Sequence, residues 1–246
     1  SLLQSLVFSY YQNSFSLPDK IILTAKPKNL NLISEAINLK FQQSIRISCT
    51  TPPGTKQLAK LAIFNANQVI ENKIKKSDKY DHAIKDLAKY LGLNKADIFI
   101  EGYDVSHHAG KYAVASAVKF SNQGPEKNAY KLYNIDSINA GNDIGSIKHV
   151  LKRRVQKVSQ YPLPDIILID GGQAQLNAAL SVFKSINSPQ PIILSLVKGA
   201  KRVRATETIL SKQGIVEIPI NSSSFNLLQQ IRDESHRFAI SSNRKK

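Results

Sequence analysis

Cysteine is nearly missing from this chain: Cys49 is the single one in 246 residues. One thiol closes no internal disulfide and fits no metal-site spacing, which excludes a disulfide-stapled secreted domain and points to a reducing, cytoplasmic setting. Cys49 itself reads as a small residue of a strand or core. Long apolar runs are also lacking. No stretch approaches the roughly 18–20 residues needed to cross a bilayer, so no membrane span is expected. The first residues show neither the basic region nor the cleavage site of a signal peptide. They lack an initiating Met as well, so the chain is expected to be an excised fragment. Repeats and low-complexity tracts are absent. Acidic residues are few: Asp+Glu number 18 against Lys+Arg 34, a formal net charge of +16. That deficit favours a polyanionic partner, because neutralising phosphates releases condensed counterions, but it does not separate DNA from RNA or either from an anionic membrane.

What is present suits a globular α/β protein. An apolar fraction of 42% supplies ample core for one large domain, or one domain with a small appendage. After Leu17-Pro18-Asp19, a turn, come a short strand at Ile21–Leu23, helix-like spacing from Leu30 to Phe41 and a strand at Ile45–Ile47. Pro52-Pro53-Gly54 interrupts the chain before a helix of about Lys56 to Lys73, and a second helix runs from about Tyr80 to Leu91, with Gly92 as its cap. The pattern then changes. Ile98–Asp104, Tyr112–Phe120 and Ala129–Ile135 read as three strands in meander. A helix (about Ile144 to Val158), an apolar strand (Ile166–Ile169), a helix (Ala174–Ile186) and another apolar strand (Ile192–Val197) follow. A hairpin around Gly214 and a closing helix, Ser223–Ile240, complete the chain. Three meandering strands followed by alternating helix and strand imply a mixed sheet with helices on both faces, the ribonuclease H-like order. Residues 1–95 would form a small N-terminal α/β appendage and 96–246 the main domain.

Two acids stand at strand ends. Alternation puts Asp104 on the sheet face of Ile98, Ile100 and Gly102, and Asp170 ends the run Ile166–Ile169 before Gly171-Gly172. A carboxylate there is costly unless paired, hydrogen-bonded or bound to metal. Each acid alone is equally a turn former, and their joint placement favours a site. On the closing helix, about 100° per residue gathers Gln229, Arg232, Asp233 and His236 in one polar arc opposite Leu227, Leu228, Ile231, Phe238 and Ala239. That arc is either a solvated face or part of the site. An Asp/Asp/His set of oxygen and imidazole ligands suits Mg²⁺ or Mn²⁺.

Glu101-Gly102-Tyr103-Asp104-Val105-Ser106-His107 resembles the E-C-F-D-I-S-H motif of the UvrC family, and Leu168-Ile169-Asp170-Gly171-Gly172 with Gln175-Leu176 resembles its L-I-D-G-G-K-G-Q-L. Val197-Lys198-Gly199 and Glu207-Thr208 look like the A-K-G and E-T-L elements, and Gly141-Asn142-Asp143 like a Gly-Asp-Asp motif. Ile231 to Ile240, reading I-R-D-E-S-H-R-F-A-I, is similar to the third motif almost letter for letter. The resemblance spans nearly the whole chain and is strongest after residue 96. It implies a ribonuclease H-like, divalent-metal-dependent DNA endonuclease that makes the 5′ incision beside a lesion in bacterial nucleotide excision repair. Asp104, Asp170 and His236 align with the catalytic triad as Mg²⁺ or Mn²⁺ ligands, His236 alternatively as a general acid/base, and Asp143 with a further acidic position. Lys198 and Arg232 are candidate phosphate contacts, or ordinary surface or ion-pairing residues. Lys152-Arg153-Arg154, Lys198–Arg204 and Arg244-Lys245-Lys246 either track a DNA backbone or form solvated faces. Ser106 and His107 shape the site or only the turn. The implied partners are damaged double-stranded DNA and, in the full-length protein, a UvrB-like subunit. Three departures stand out: Asn142 replaces one acid of Gly-Asp-Asp, Gln173 a frequent Lys, and Asn243 a common His. Two readings compete: a resolvase- or transposase-like nuclease on the same fold, which shares the acidic architecture but not the I-R-D-E-S-H-R-F-A string, and a non-catalytic DNA- or protein-docking module whose acids hold only a structural ion.

Overall fold

The computed structural model describes the chain except residues 1, 13, 15, 28, 44, 50–52, 109–111, 136–141, 185, 187–188, 198–206 and 244–246. It divides into two compact units, Ser1–Asn72 and Lys73–Lys246. In the first, α1 (Leu2–Gln12), β1 (Lys20–Ile22), α2 (Leu30–Phe41) and β2 (Arg46–Ser48) follow in order, and β1 pairs parallel with β2. Ile33 and Ile37, one helical turn apart on α2, close over Ile21, Leu23, Ile45 and Val7 in a small core. The N-terminal α/β appendage is thus a unit with its own core. Cys49 packs at the edge of that core, as its composition implied.

A single helix, α3 (Lys56–Tyr90), replaces the two helices expected between Lys56 and Leu91. No Gly or Pro stands between these ends, and the apparent break comes from the polar stretch at residues 75–79, which interrupts a hydrophobic pattern without breaking a backbone. The unit boundary falls inside this helix, upstream of the boundary expected after residue 95. The reason is packing: Ala83, Ile84, Leu87 and Ala88 are buried in the core of the second unit.

That unit is built on a mixed sheet of β3 (Ile100–His108), β4 (Tyr112–Ser121), β5 (Gly124–Pro125), β6 (Lys131–Ile135), β7 (Ile166–Asp170), β8 (Ile192–Val197), β9 (Thr208–Ser211) and β10 (Gly214–Val216). Its order is β10-β9-β8-β7-β3-β4-β5, with β6 also on β4. β3, β4 and β6 form the antiparallel meander; β7 and β8 run parallel to β3, reached through α4 (Asp143–Val155) and α5 (Gln173–Phe183). Alternation sorts the strands into two faces. Ile98, Ile100, Val118, Ile166, Leu168 and Leu196 pack with α3 and with α6 (Ser223–Asn243), while Tyr103, Ala117, Ile167, Ile169 and Ile193 pack with α4 and α5. Helices therefore cover both faces, as the order of elements predicted.

Candidate active site

β3 does not end at Asp104. Its antiparallel ladder with β4 runs on to His108↔Tyr112, whereas its parallel pairing with β7 stops at Tyr103↔Ile169. Asp104 and Asp170 are the next residues on these two neighbouring strands. Each has the parity of the α6 face, so the acids stand side by side where β7 leaves the sheet at Gly171-Gly172. Asp104 is 6% exposed. Above it, α6 brings His236, whose Nδ1 lies 3.2 Å from Asp104 Oδ2. The ring's other edge is open, the side chain being 56% exposed.

Three local features hold α6 in this position. Gly102, two residues before Asp104 on the same face, lies under Ile231: a Cβ built on Gly102 would come within 2.4 Å of Ile231 Cγ2. Only a residue without a side chain leaves room for the Ile231 side chain to seat against the strand here. Ser116 is the cross-strand partner of Asp104, and its buried hydroxyl donates to the carbonyl of Ser235 at 2.7 Å, one residue before His236. Glu207, just before β9, accepts from Gln229 and from Arg232 Nη1, and so ties the middle of α6 to the far side of the sheet. The turn after Asp170 is held from two sides. Ser195 Oγ donates to Gly171 O at 2.6 Å, and Gly172 N–H donates to Gln175 Oε1 at 3.0 Å.

The structure therefore brings Asp104 and His236 into contact and sets Asp170 beside Asp104. Asp143 is an exposed residue in the first turn of α4, where an acid is favourable toward the helix dipole. Asn142, the departure from Gly-Asp-Asp, caps that helix by accepting from Gly145 N–H at 3.0 Å, a task Asn performs as well as Asp. Of the two alternatives for Arg232, the ion-pairing one is observed. Its side chain is 10% exposed and binds Glu207 and Asp233. Burial opposes its charge, but hydrogen bonds to those two carboxylates raise its pKa above the ordinary value. The polar arc of α6 consequently splits, with Gln229 buried against Glu207 and His236 turned to the acids. Lys198, the basic run 198–204 and residues 244–246 lie outside the described residues, as do the side chains of Ser106 and His107. Among the described residues, no group of three or more His, Cys, Asp or Glu is gathered closely enough to hold a metal ion. No helix among them is long and apolar enough to cross a membrane. Ser116 was missed from sequence, although a lone serine in the stripe Val114, Val118, Phe120 was its signal.

The family model for the UvrC RNAse H endonuclease domain matches residues 88–240, and that for the UvrC Ribonuclease H-like domain matches residues 1–73. The chain belongs to the UvrC family. Its second unit is accordingly an α/β, ribonuclease H-like nuclease domain. The chain is 33% identical over 247 residues to the UvrABC system protein C of Nitrosococcus oceani, which covers 100% of this chain and 41% of that protein. To the UvrABC system protein C of Pasteurella multocida it is 35% identical over 238 residues, 94% of this chain and 39% of the relative. It thus spans about two fifths of the length of these UvrC relatives. Among solved structures, a Ciona intestinalis endonuclease V bound to inosine-containing DNA aligns at a TM-score of 0.41 with 11% identity, over 72% of this chain and 98% of that one.

Proposed function

We propose that the second unit is the divalent-metal-dependent centre that makes the 5′ incision beside a lesion in bacterial nucleotide excision repair. One observation carries this reading: a carboxylate at 6% exposure, Asp104, stands beside a second strand-end acid and under an imidazole from a helix fastened on both sides of it. Burying an ionised carboxylate is costly unless it is paired, hydrogen-bonded or metal-bound, and two strand-end acids side by side form a donor set that a divalent cation would suit. The donor chemistry fits a hard cation. Asp104 and Asp170 supply anionic oxygens and His236 an imidazole, the set that Mg²⁺ or Mn²⁺ accepts. When bound, such an ion would activate water and neutralise charge on the phosphoryl oxygens. The chain's own part is positional. Asp104 orients the His236 ring through Nδ1, which leaves Nε2 either as the ligand of such an ion or as the atom that takes or gives a proton. Gly102 and Ser116 keep the ring over the acids. Asp143 belongs to the proposal as a further acid at the edge of α4, and Lys198 as a phosphate contact. In the longer protein the substrate would be damaged duplex DNA, presented with a UvrB-like partner in the cytoplasm.

Asp104→Asn tests this reading, because it removes the charge and preserves the shape. In the full-length protein with its partners, Mg²⁺ and an end-labelled lesion-bearing duplex, loss of the 5′ cut alone is expected, with the 3′ cut and DNA binding retained. Incision at the wild-type rate would exclude Asp104 as a ligand. A docking module is the second reading, favoured by the lack of a three-ligand group among the described residues. That outcome would show as loss of both cuts together with loss of DNA binding by a variant that still folds.

A further inference from the structure

On the sheet face opposite Asp104 lies a cavity of about 960 Å³ within the second unit. Its size falls in the range of about 300–1,000 Å³ usual for sites that take a small organic group. Its floor is a closed ion pair. Arg154 Nε and Nη2 donate to Glu101 at 2.9–3.1 Å, and the Tyr103 hydroxyl donates to the same carboxylate at 2.6 Å. The remaining guanidinium bonds go to the carbonyls of Tyr161 and Pro162, so the buried cation holds the rim in place. The rim is aromatic and cationic. Phe99 and Tyr161 are 37% and 52% exposed, and each carries an ammonium over its ring: Lys119 at 4.4 Å from Phe99 and Lys131 at 4.2 Å from Tyr161. Lys119 has a carboxylate partner, Glu126, at 2.9 Å. Lys127 and Lys131 also line the cavity, and the carboxylates that act on them, Glu234 and Glu101, do so without a close ion pair among the described residues. Burial, then the Arg154 charge, lowers the Lys131 pKa below its ordinary value, an effect the Glu101 carboxylate offsets only in part.

Exposed rings interleaved with lysines around a cavity are the elements of a single-strand platform, in which each base offers a π-face and each phosphate a charge. An acidic peptide would neutralise the lysines and leave the rings unused, and a base inside a duplex has both faces already stacked. We propose that this cavity holds one nucleotide of an unpaired DNA strand, its base against the Phe99 and Tyr161 rings and its phosphate met by Lys131. The site lies apart from the acids, and rests on the nuclease reading only in taking DNA as the polymer.

The chain has no tryptophan, so Tyr161→Trp would place its only indole on the rim. The full 246-residue protein is titrated in EDTA, where no cleavage enters, with short oligothymidylate, with a duplex of equal length and with thymidine 5′-monophosphate. Saturable quenching by the single strand is expected, with the duplex and the mononucleotide far weaker. Adding Lys131→Gln should flatten the salt dependence of binding by about one unit of slope. Tyr161→Ala, followed by anisotropy of a labelled strand, should weaken binding roughly fivefold or more. Both side chains are solvent-accessible, and unchanged unfolding midpoints would verify the folds. The proposal is overturned if the single strand does not quench, if duplex quenches equally, or if Lys131→Gln and Tyr161→Ala bind like the parent. Equal affinity for the mononucleotide would make this a free-nucleotide site and also overturn it. Because no metal is present, a failure of the Asp104 reading leaves every one of these outcomes interpretable.

Discussion

Ser116 and Asp104 face each other across β3 and β4, and the serine reaches past the acid to the backbone of α6 beside His236. Its hydroxyl touches no reacting atom, so its effect passes through the position of the imidazole. Ser116→Ala is expected to cost about 1 kcal/mol in urea unfolding, the usual net value of one hydrogen bond. It should lower the incision rate while leaving DNA affinity unchanged; equal incision by mutant and parent would remove Ser116 from this role. Gly102 acts by absence. A methyl there would meet Ile231, and Gly102→Ala should destabilise by about 1–3 kcal/mol through overpacking. Because the displaced helix carries His236, incision should fall with it; an unfolding midpoint equal to the parent's would show that α6 yields easily.

Between elements, the second unit relies on a polar latch at the edge of its core. Asn122, after β4, donates to Asp81 on α3 at 2.7 Å and to the Ala96 carbonyl at 3.2 Å, and accepts from Ile98 N–H at 2.9 Å. One side chain thus joins α3, the start of β3 and the β4–β5 turn. The hydrogen bond from Lys85, then that from Asn122, holds the Asp81 carboxyl below its ordinary pKa. A carboxyl depressed in the folded state adds stability that is complete above its unfolded value, about 3.9, and is lost as pH falls through the folded value. Stability should therefore decline with acid below about pH 4, and Asp81→Asn should make that decline shallower in urea titrations at successive pH values. An unaltered slope would assign the acid sensitivity to other carboxylates. The same reasoning explains why one long helix replaced two: the residues that broke its apolar pattern leave its backbone continuous, and only its C-terminal half contributes to the large core.

For the molecule as a whole, the division at 72/73 gives a fragment prediction. The second unit has cores on both faces of a complete sheet, so residues 73–246 are expected to unfold cooperatively on their own. A fragment beginning at residue 96 loses Ala83, Ile84, Leu87 and Ala88, and should unfold far more readily or fail to fold. Comparable denaturation midpoints for the two fragments would contradict that assignment of α3. The charge of +16 makes a separate prediction: DNA binding that weakens steeply between about 50 and 200 mM salt, with little preference for sequence. Equal affinities at the two concentrations would leave the charge without this role.

By itself the sequence determined the order of the main helices and strands after residue 96, the face on which Asp104 lies, the strand-end position of Asp170, and the family, because periodicity and short motifs are local properties of a chain. It determined as well that a turn would follow Asp170, since Gly171-Gly172 cannot extend a buried strand favourably. Only tertiary structure decided which polar residues of α6 serve the acids and which serve the fold. Helical spacing groups Gln229, Arg232 and His236 alike, but Glu207 from across the sheet takes the first two, and Ser116 from β4 positions the third. The extent of α3 that belongs to the nuclease unit was decided the same way, by apolar side chains far apart in sequence. Long-range pairing sets these outcomes, and no local pattern records the identity of the partner.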